Sequence, residues 1–243
     1  MNNIKYIIIC FLILVSCSND DDEIISTLSA YIEGTTIETG AVIACAASDE
    51  ISDDILTFYY PEPGATNVRF YQTNNANVDN SNFSNYSRVL LNSDPFFNGY
   101  LGKFTQAAAS TERWIVVTFE LEGEIKISNP IRTKQISKPT VWSEDVNINQ
   151  DESGMPKFTW IDNPVRDNAI YFQVISTAQN ELLSGTYTYE NYFQYYKTDN
   201  VVLNITTETP PTLTLNDTYN FTLMDVSEDN WVNLVISKNF IAE

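Results

Sequence analysis

A chain of 243 residues with 32 acidic against 13 basic side chains, a formal charge of −19 and no histidine excludes several functions before any pattern is read. Nucleic acid is excluded as a natural partner because phosphate binding needs a basic stripe, and the same charge argues against an anionic membrane surface as a ligand for the body of the protein. Without histidine there is no Ser-His-Asp or Cys-His catalysis and no histidine-containing zinc site.

The chain opens with Lys5 and ten apolar residues, Tyr6 to Val15, the layout of a secretory signal rather than a membrane span. At about 1.5 Å rise per residue, ten residues cross about half of a ~30 Å hydrocarbon core. Leu14-Val15-Ser16-Cys17 resembles the cleavage box of bacterial lipoproteins. The resemblance implies that the Cys17 thiol takes a diacylglycerol and becomes the new N-terminus, with residues 1–16 as signal peptide. Ser18-Asn19-Asp20-Asp21-Asp22-Glu23 is similar to the acidic export tag of outer-membrane lipoproteins of the Bacteroidota, within an acidic tether over 17–26. A solvated acidic spacer is the alternative reading of the same run. The expected location is the outer membrane, lipid-anchored and facing the cell exterior.

Loss of residues 1–16 removes Lys5 and no acid, leaving 12 basic and 32 acidic residues and a charge of −20. Cys10 leaves with the leader and Cys17 is committed to lipid, so Cys45 alone remains in the body and no intrachain disulfide forms there. Its apolar neighbours, Ala41 to Ala47, mark it as a buried, inert thiol.

Short β-branched and aromatic runs separated by Asn, Asp, Gly and Pro clusters fill the body and predict an all-β chain of two tandem antiparallel β-sandwich domains, 27–135 and 136–243. In the first, strands are expected near Val42–Ala47, Ile55–Tyr60, Asn67–Thr73, Arg88–Asn92, Leu101–Gln106, Trp114–Leu121 and Glu124–Ile131. Glu122-Gly123 joins the last two as a hairpin turn, and Asn129-Pro130 bends the closing strand. In the second, they are expected near Thr140–Ile148, Lys157–Ile161, Ala169–Thr177, Val201–Thr206, Tyr219–Val226 and Trp231–Ile236.

Phe158-Thr159-Trp160, Ile170-Tyr171-Phe172-Gln173-Val174 and the Leu215-x-x-x-Tyr219 corner resemble a fibronectin type III domain. The resemblance implies that Trp160 fills the core, that Tyr171 packs against it, and that the Tyr219 hydroxyl makes a backbone hydrogen bond that pins the crossover. The first half resembles the family less closely: Trp114 stands near the corner tyrosine's place and Phe58-Tyr59-Tyr60 replace the B-strand Trp, with a variant immunoglobulin-like sandwich as the alternative. The fold carries little functional information, because it hosts unrelated activities.

The densest aromatic run is Thr186 to Lys197, where Tyr187, Tyr189, Tyr192, Tyr195 and Tyr196 are candidate ligand-binding residues. Exposed, they would stack on sugar rings or on a protein partner; alternating on a half-buried strand, they would make cross-strand pairs. The Asn- and Ser-rich segment from Asn74 to Gly99, with Phe83, Tyr86, Phe96, Phe97 and nearby Tyr100, reads either as a second contact loop or as one whose rings tuck onto the sandwich. The acidic clusters Asp49-Glu50-x-x-Asp53-Asp54 and Asp225-x-x-Glu228-Asp229 match no fixed calcium spacing and read as solvated turn charges. No metal, cofactor or catalytic residue is assigned. The expected function is non-enzymatic binding or display of a glycan or an envelope protein; the alternative is a structural or assembly component of an outer-membrane complex.

Overall fold

The computed structural model describes residues 27–161, 167–206 and 209–243. The leader, Cys17 and the run Ser18 to Glu23 lie outside the described residues.

A short helix, α1 (Leu28–Ile32), is capped by Thr27, whose side chain accepts from the Ala30 amide. The first half continues with β1 (Ile37–Val42), β2 (Ala44–Ser48), β3 (Ile55–Tyr59), β4 (Thr66–Gln72), β5 (Ser87–Val89), β6 (Ser93–Phe96), β7 (Leu101–Gln106), β8 (Trp114–Leu121), β9 (Glu124–Ser128) and β10 (Ile131–Arg132). The second half has β11 (Val141–Ser143), β12 (Asn147–Asn149), β13 (Lys157–Thr159), β14 (Asn168–Thr177), β15 (Leu182–Thr188), β16 (Tyr192–Gln194), β17 (Val201–Asn204), β18 (Thr218–Ser227) and β19 (Val232–Ile241).

These strands make four sheets. Sheet I has the order β1-β9-β8-β4-β5 with β10 also on β8, sheet II is β2-β3-β7-β6, sheet III is β11-β19-β18-β14-β15-β17, and sheet IV is β12-β13-β16. The ladders are antiparallel except at two places, where β1 runs parallel to β9 and β11 parallel to β19. The hairpin between β8 and β9 turns on Glu122 and Gly123, both at positive φ, the conformation that matches the twist of the flanking strands. Asn129-Pro130 breaks the expected Glu124–Ile131 strand in two, and the Ser128 hydroxyl accepts from the Val117 amide at the break.

The sheets stack as four layers, because the strands of the two middle sheets send alternate residues to different cores. In β3, Ile55 and Tyr59 join Phe70, Val117 and Phe119 between sheets I and II. Leu56 and Phe58, one residue out of phase, join Phe172, Val174, Met224 and Val235 between sheets II and III. The other face of sheet III carries Tyr171, Ile175, Phe221 and Leu223 against Phe158 and Phe193 of sheet IV. The outer face of sheet I packs Tyr71, Val116, Ile125 and Ile127 against Leu28 and Tyr31 of α1. Period-two alternation thus persists in the middle layers, but both phases are apolar.

The roles that the resemblance implied in the second half are met. Trp160 lies in the core between sheets III and IV with its ring edge-on to Tyr171 at 5.1 Å. The Tyr219 hydroxyl accepts from the Thr214 amide at 2.9 Å. The leucine of that corner differs from expectation: Leu213 is buried and Leu215 is 49% exposed, because the turn at Asn216, with φ at 69°, carries Leu215 outward.

The two halves are joined across a buried surface. At about 1.5–3 kcal/mol for each large apolar side chain removed from water, the core between sheets II and III outweighs the hydrogen bonds around it, each worth about 0.5–1.5 kcal/mol net. Those hydrogen bonds fix the register instead. Thr140 and Ser48 exchange two of them, Ser48 N to Thr140 Oγ1 at 2.9 Å and Thr140 N to Ser48 Oγ at 2.8 Å. The turn between β18 and β19 docks on the first half, where the Ala46 amide donates to Asn230 O and the Arg132 amide to Asp229 O. Trp231 then enters the core between sheets I and II, fully buried, and its indole N–H donates to Lys138 O at 2.8 Å. Lys138 pairs with Asp167 at 2.7 Å and Lys134 with Asp229 at 2.8 Å.

Candidate functional site

The five candidate tyrosines do not form one row. The chain leaves sheet III at Thr188 and enters sheet IV at Tyr192 by way of Tyr189, Glu190 and Asn191, so no single alternation spans the run. Tyr187 stacks on Phe172 at 4.6 Å and 26°, facing sheet II, and burial pushes its hydroxyl well above the usual tyrosine range. Tyr189 is exposed. Tyr192 is half-buried beneath the Lys157 ammonium, 4.7 Å from the ring centre. Tyr195 is a core residue, fully buried, with its hydroxyl donating to Pro211 O at 2.6 Å, which removes it from any contact surface. Tyr196 stands edge-on to Tyr195 at 5.2 Å, with its hydroxyl 3.3 Å from Thr212 Oγ1.

The aromatics of the Asn74–Gly99 segment tuck in rather than projecting. Tyr86 is buried on the outer face of sheet I with its hydroxyl donating to Asn80 O, while Phe96 and Phe97 reach the seam between sheets II and III. The acidic clusters serve local structure. Asp49 Oδ1 accepts from the Ile51 and Ser52 amides, which hold its carboxyl below the ordinary range. Asp225 departs from the expected solvated turn: it is fully buried and accepts from the Asn168 side-chain amide at 2.7 Å. Among the described residues no group of three or more cysteine or acidic side chains could hold a metal ion.

Two clefts open along the seam between sheets II and III, with Phe58 and Met224 lining both. One, of about 190 Å³, is walled by Ile43, Cys45, Phe172, Tyr187, Leu203 and Val226. Cys45 and Tyr187 are surrounded by protein and still keep accessible surface, because what they face is this cavity. Burial pushes the Cys45 thiol up to about 12, so it is protonated and inert at neutral pH.

The other cleft, of about 310 Å³, is lined by Phe96, Phe97 and Trp142 together with Asp49, Lys103, Asn180 and Asn220. Phe97, Asn98 and Gly99 follow one another at positive φ, a tight turn that carries the Phe97 ring to the seam. Left-handed backbone at a bulky residue costs on the order of 1–3 kcal/mol and concentrates at functional sites. Among the described residues Asp49 is the one acid that lines the two clefts. Sequence reasoning missed both, since their walls come from strands more than a hundred residues apart. The available signal was the apolar-rich runs Ile55–Tyr59, interrupted at Thr57, and Phe221–Val226, interrupted at Thr222 and Asp225, in which apolar residues occupy both phases of a strand covered on both faces.

No protein-family model matches the chain, and no curated protein matches it. Among solved structures the chain is similar to the crystal structure of domains A168–A170 from titin, at 10% identity and a TM-score of 0.31, covering 86% of this chain and 62% of that one. It is also similar to the chicken CNTN1 FN1-FN3 domains, at 12% identity and a TM-score of 0.33, covering 86% and 68% of the two chains. A two-domain fibronectin type III segment from chicken tenascin is similar at 12% identity and a TM-score of 0.27, covering 82% of this chain and 99% of the segment.

Proposed function

We propose that the protein is a non-enzymatic, lipid-anchored binding module of the outer membrane that faces the cell exterior and seats a glycan in the larger of the two clefts described along the seam. The observation that carries the reading is the lining of that cleft, aromatic rings beside side-chain amides and one charge of each sign. Apolar ring faces pack against the C–H face of a sugar, while Asn180, Asn220, Lys103 and Asp49 supply donors and acceptors for its hydroxyls. The lipoprotein cleavage box at Leu14–Cys17 and the acidic run behind it support the anchored, outward-facing part of the reading.

A glycan array probed with the purified chain tests it, followed by titration of each hit while the fluorescence of Trp142 is recorded. Binding is expected to perturb that emission, and Phe96→Ala and Asn180→Ala are expected to weaken it at least tenfold with the fold retained. An array with no hits removes the glycan. A second reading, assembly with an envelope protein, is favoured by β17, an edge strand of sheet III with Val202 and Leu203 exposed. It is expected to give a stable complex on native gels and no response on the array.

A further inference from the structure

The smaller cleft differs in chemistry from the larger one. Among the described residues no charged side chain lines it, and apart from Asn129 and Asn230 its walls are mainly aliphatic and aromatic, with the stacked pair Phe172 and Tyr187 on one side and Phe58 on the other. An apolar cavity of about 150 Å³ holds a benzene molecule, so a volume of about 190 Å³ accommodates one ring bearing one or two small substituents. The stacked rings offer edges and faces to a flat guest rather than a tube for an alkyl chain.

A polar contact is also left open. Among the described residues the Tyr187 hydroxyl has no hydrogen-bond partner, and the half-buried side chain keeps accessible surface where it lines the cavity. A guest that covers this hydroxyl without offering it a partner strips it of water at a cost, so the site gains most from a guest that brings a hydroxyl of its own. Asn129, which lines the same cavity and is exposed, marks its open side.

We infer that this cavity is a binding site for a small single-ring aromatic molecule carrying one hydroxyl, held between sheets II and III with its hydroxyl against that of Tyr187. The site does not depend on the glycan reading: it shares Phe58 and Met224 with the larger cleft, but its other walls are different residues and its guest is a largely apolar ring. Occupancy fills the seam and strengthens the joint between the two halves by mass action.

The probes are 4-fluorophenol and fluorobenzene, each titrated into the purified full chain and followed by fluorine NMR, with methyl shifts of the protein recorded alongside. Both are expected to saturate one site, with the shifts confined to Ile43, Leu203 and Val226. Tyr187→Phe, which keeps the stack on Phe172, is expected to weaken 4-fluorophenol about fivefold and to leave fluorobenzene unchanged. Cys45→Phe fills the cavity and is expected to abolish both. Failure of either probe to saturate, shifts located elsewhere, or a Tyr187→Phe variant that binds 4-fluorophenol as before would overturn the proposal, whether or not Cys45→Phe folds.

Discussion

Replacing Trp231 by Ala tests the claim that the four layers are one cooperative unit. The residue belongs to the turn after β18, yet its ring is fully buried in the core between sheets I and II, among Val42, Ala46, Ile55 and Phe70. Truncating a buried Trp costs about 3–5 kcal/mol. Loss of the indole N–H leaves Lys138 O without its donor and adds about 1 kcal/mol. At roughly 2–4 °C per kcal/mol for a chain of this size, the melting temperature is expected to fall by roughly 10–20 °C. Calorimetry and far-ultraviolet circular dichroism should show a single transition before and after the change, displaced as a whole. Two separate transitions of which one stays in place, or a displacement under about 3 °C, would refute the reasoning, because either would mean that the first half does not rely on this side chain.

Three further outcomes follow from the geometry. Gly102→Ala would place a Cβ 2.1 Å from the Tyr59 ring that lies over it, and an expected loss of about 1–3 kcal/mol is measurable by urea denaturation; Ser93, whose hydroxyl meets that of Tyr59, should become more mobile by NMR. Tyr219→Phe leaves the Thr214 amide without its acceptor and is expected to cost about 1–3 kcal/mol in the same assay. Asp167 bears on the pH dependence: burial pushes its carboxyl upward, but the hydrogen bond and charge of Lys138, with Lys134, hold it below the ordinary value. A carboxyl lowered in the folded state stabilises above its unfolded pKa, about 3.9 for Asp, and that stability is lost as pH falls through the folded value. Thermal melts between pH 5 and about 2.5 should therefore show stability declining below about pH 4, with a shallower decline in Asp167→Asn.

The sequence was most legible where a strand lies in one phase of one sheet or carries a strong β-branched run. Trp114–Leu121 and Leu101–Gln106 fall where their patterns place them, and the Glu122-Gly123 turn has the positive φ angles that the glycine announced. Legibility ended where partners are remote. β1 has four exposed residues in six and is a strand only because β9 lies parallel beside it, so nothing local marks it. β15 includes Ser184 and Gly185 in its middle, and Gly185 is needed there because Ile205 packs over it so closely that a Cβ would sit 2.8 Å away. The aromatic run was visible as composition, but its division among three surroundings depends on the crossing from sheet III to sheet IV. Tyr195 in the core and Tyr189 in solvent differ by position in the fold, not by chemistry.

The placement of Trp231 also bears on the order in which the chain can mature. Ribosomes and translocation channels deliver a polypeptide from its N-terminus, and a half that could complete itself would do so as it emerged. Here the hydrophobic interior built by residues 37–132 is closed by a side chain near position 231, so the early part must wait, incompletely sealed, for nearly the whole length to arrive. During that interval sheet II presents Leu56, Phe58 and Leu101 without their cover. Delivery of the last two strands is thus the event that commits the entire molecule.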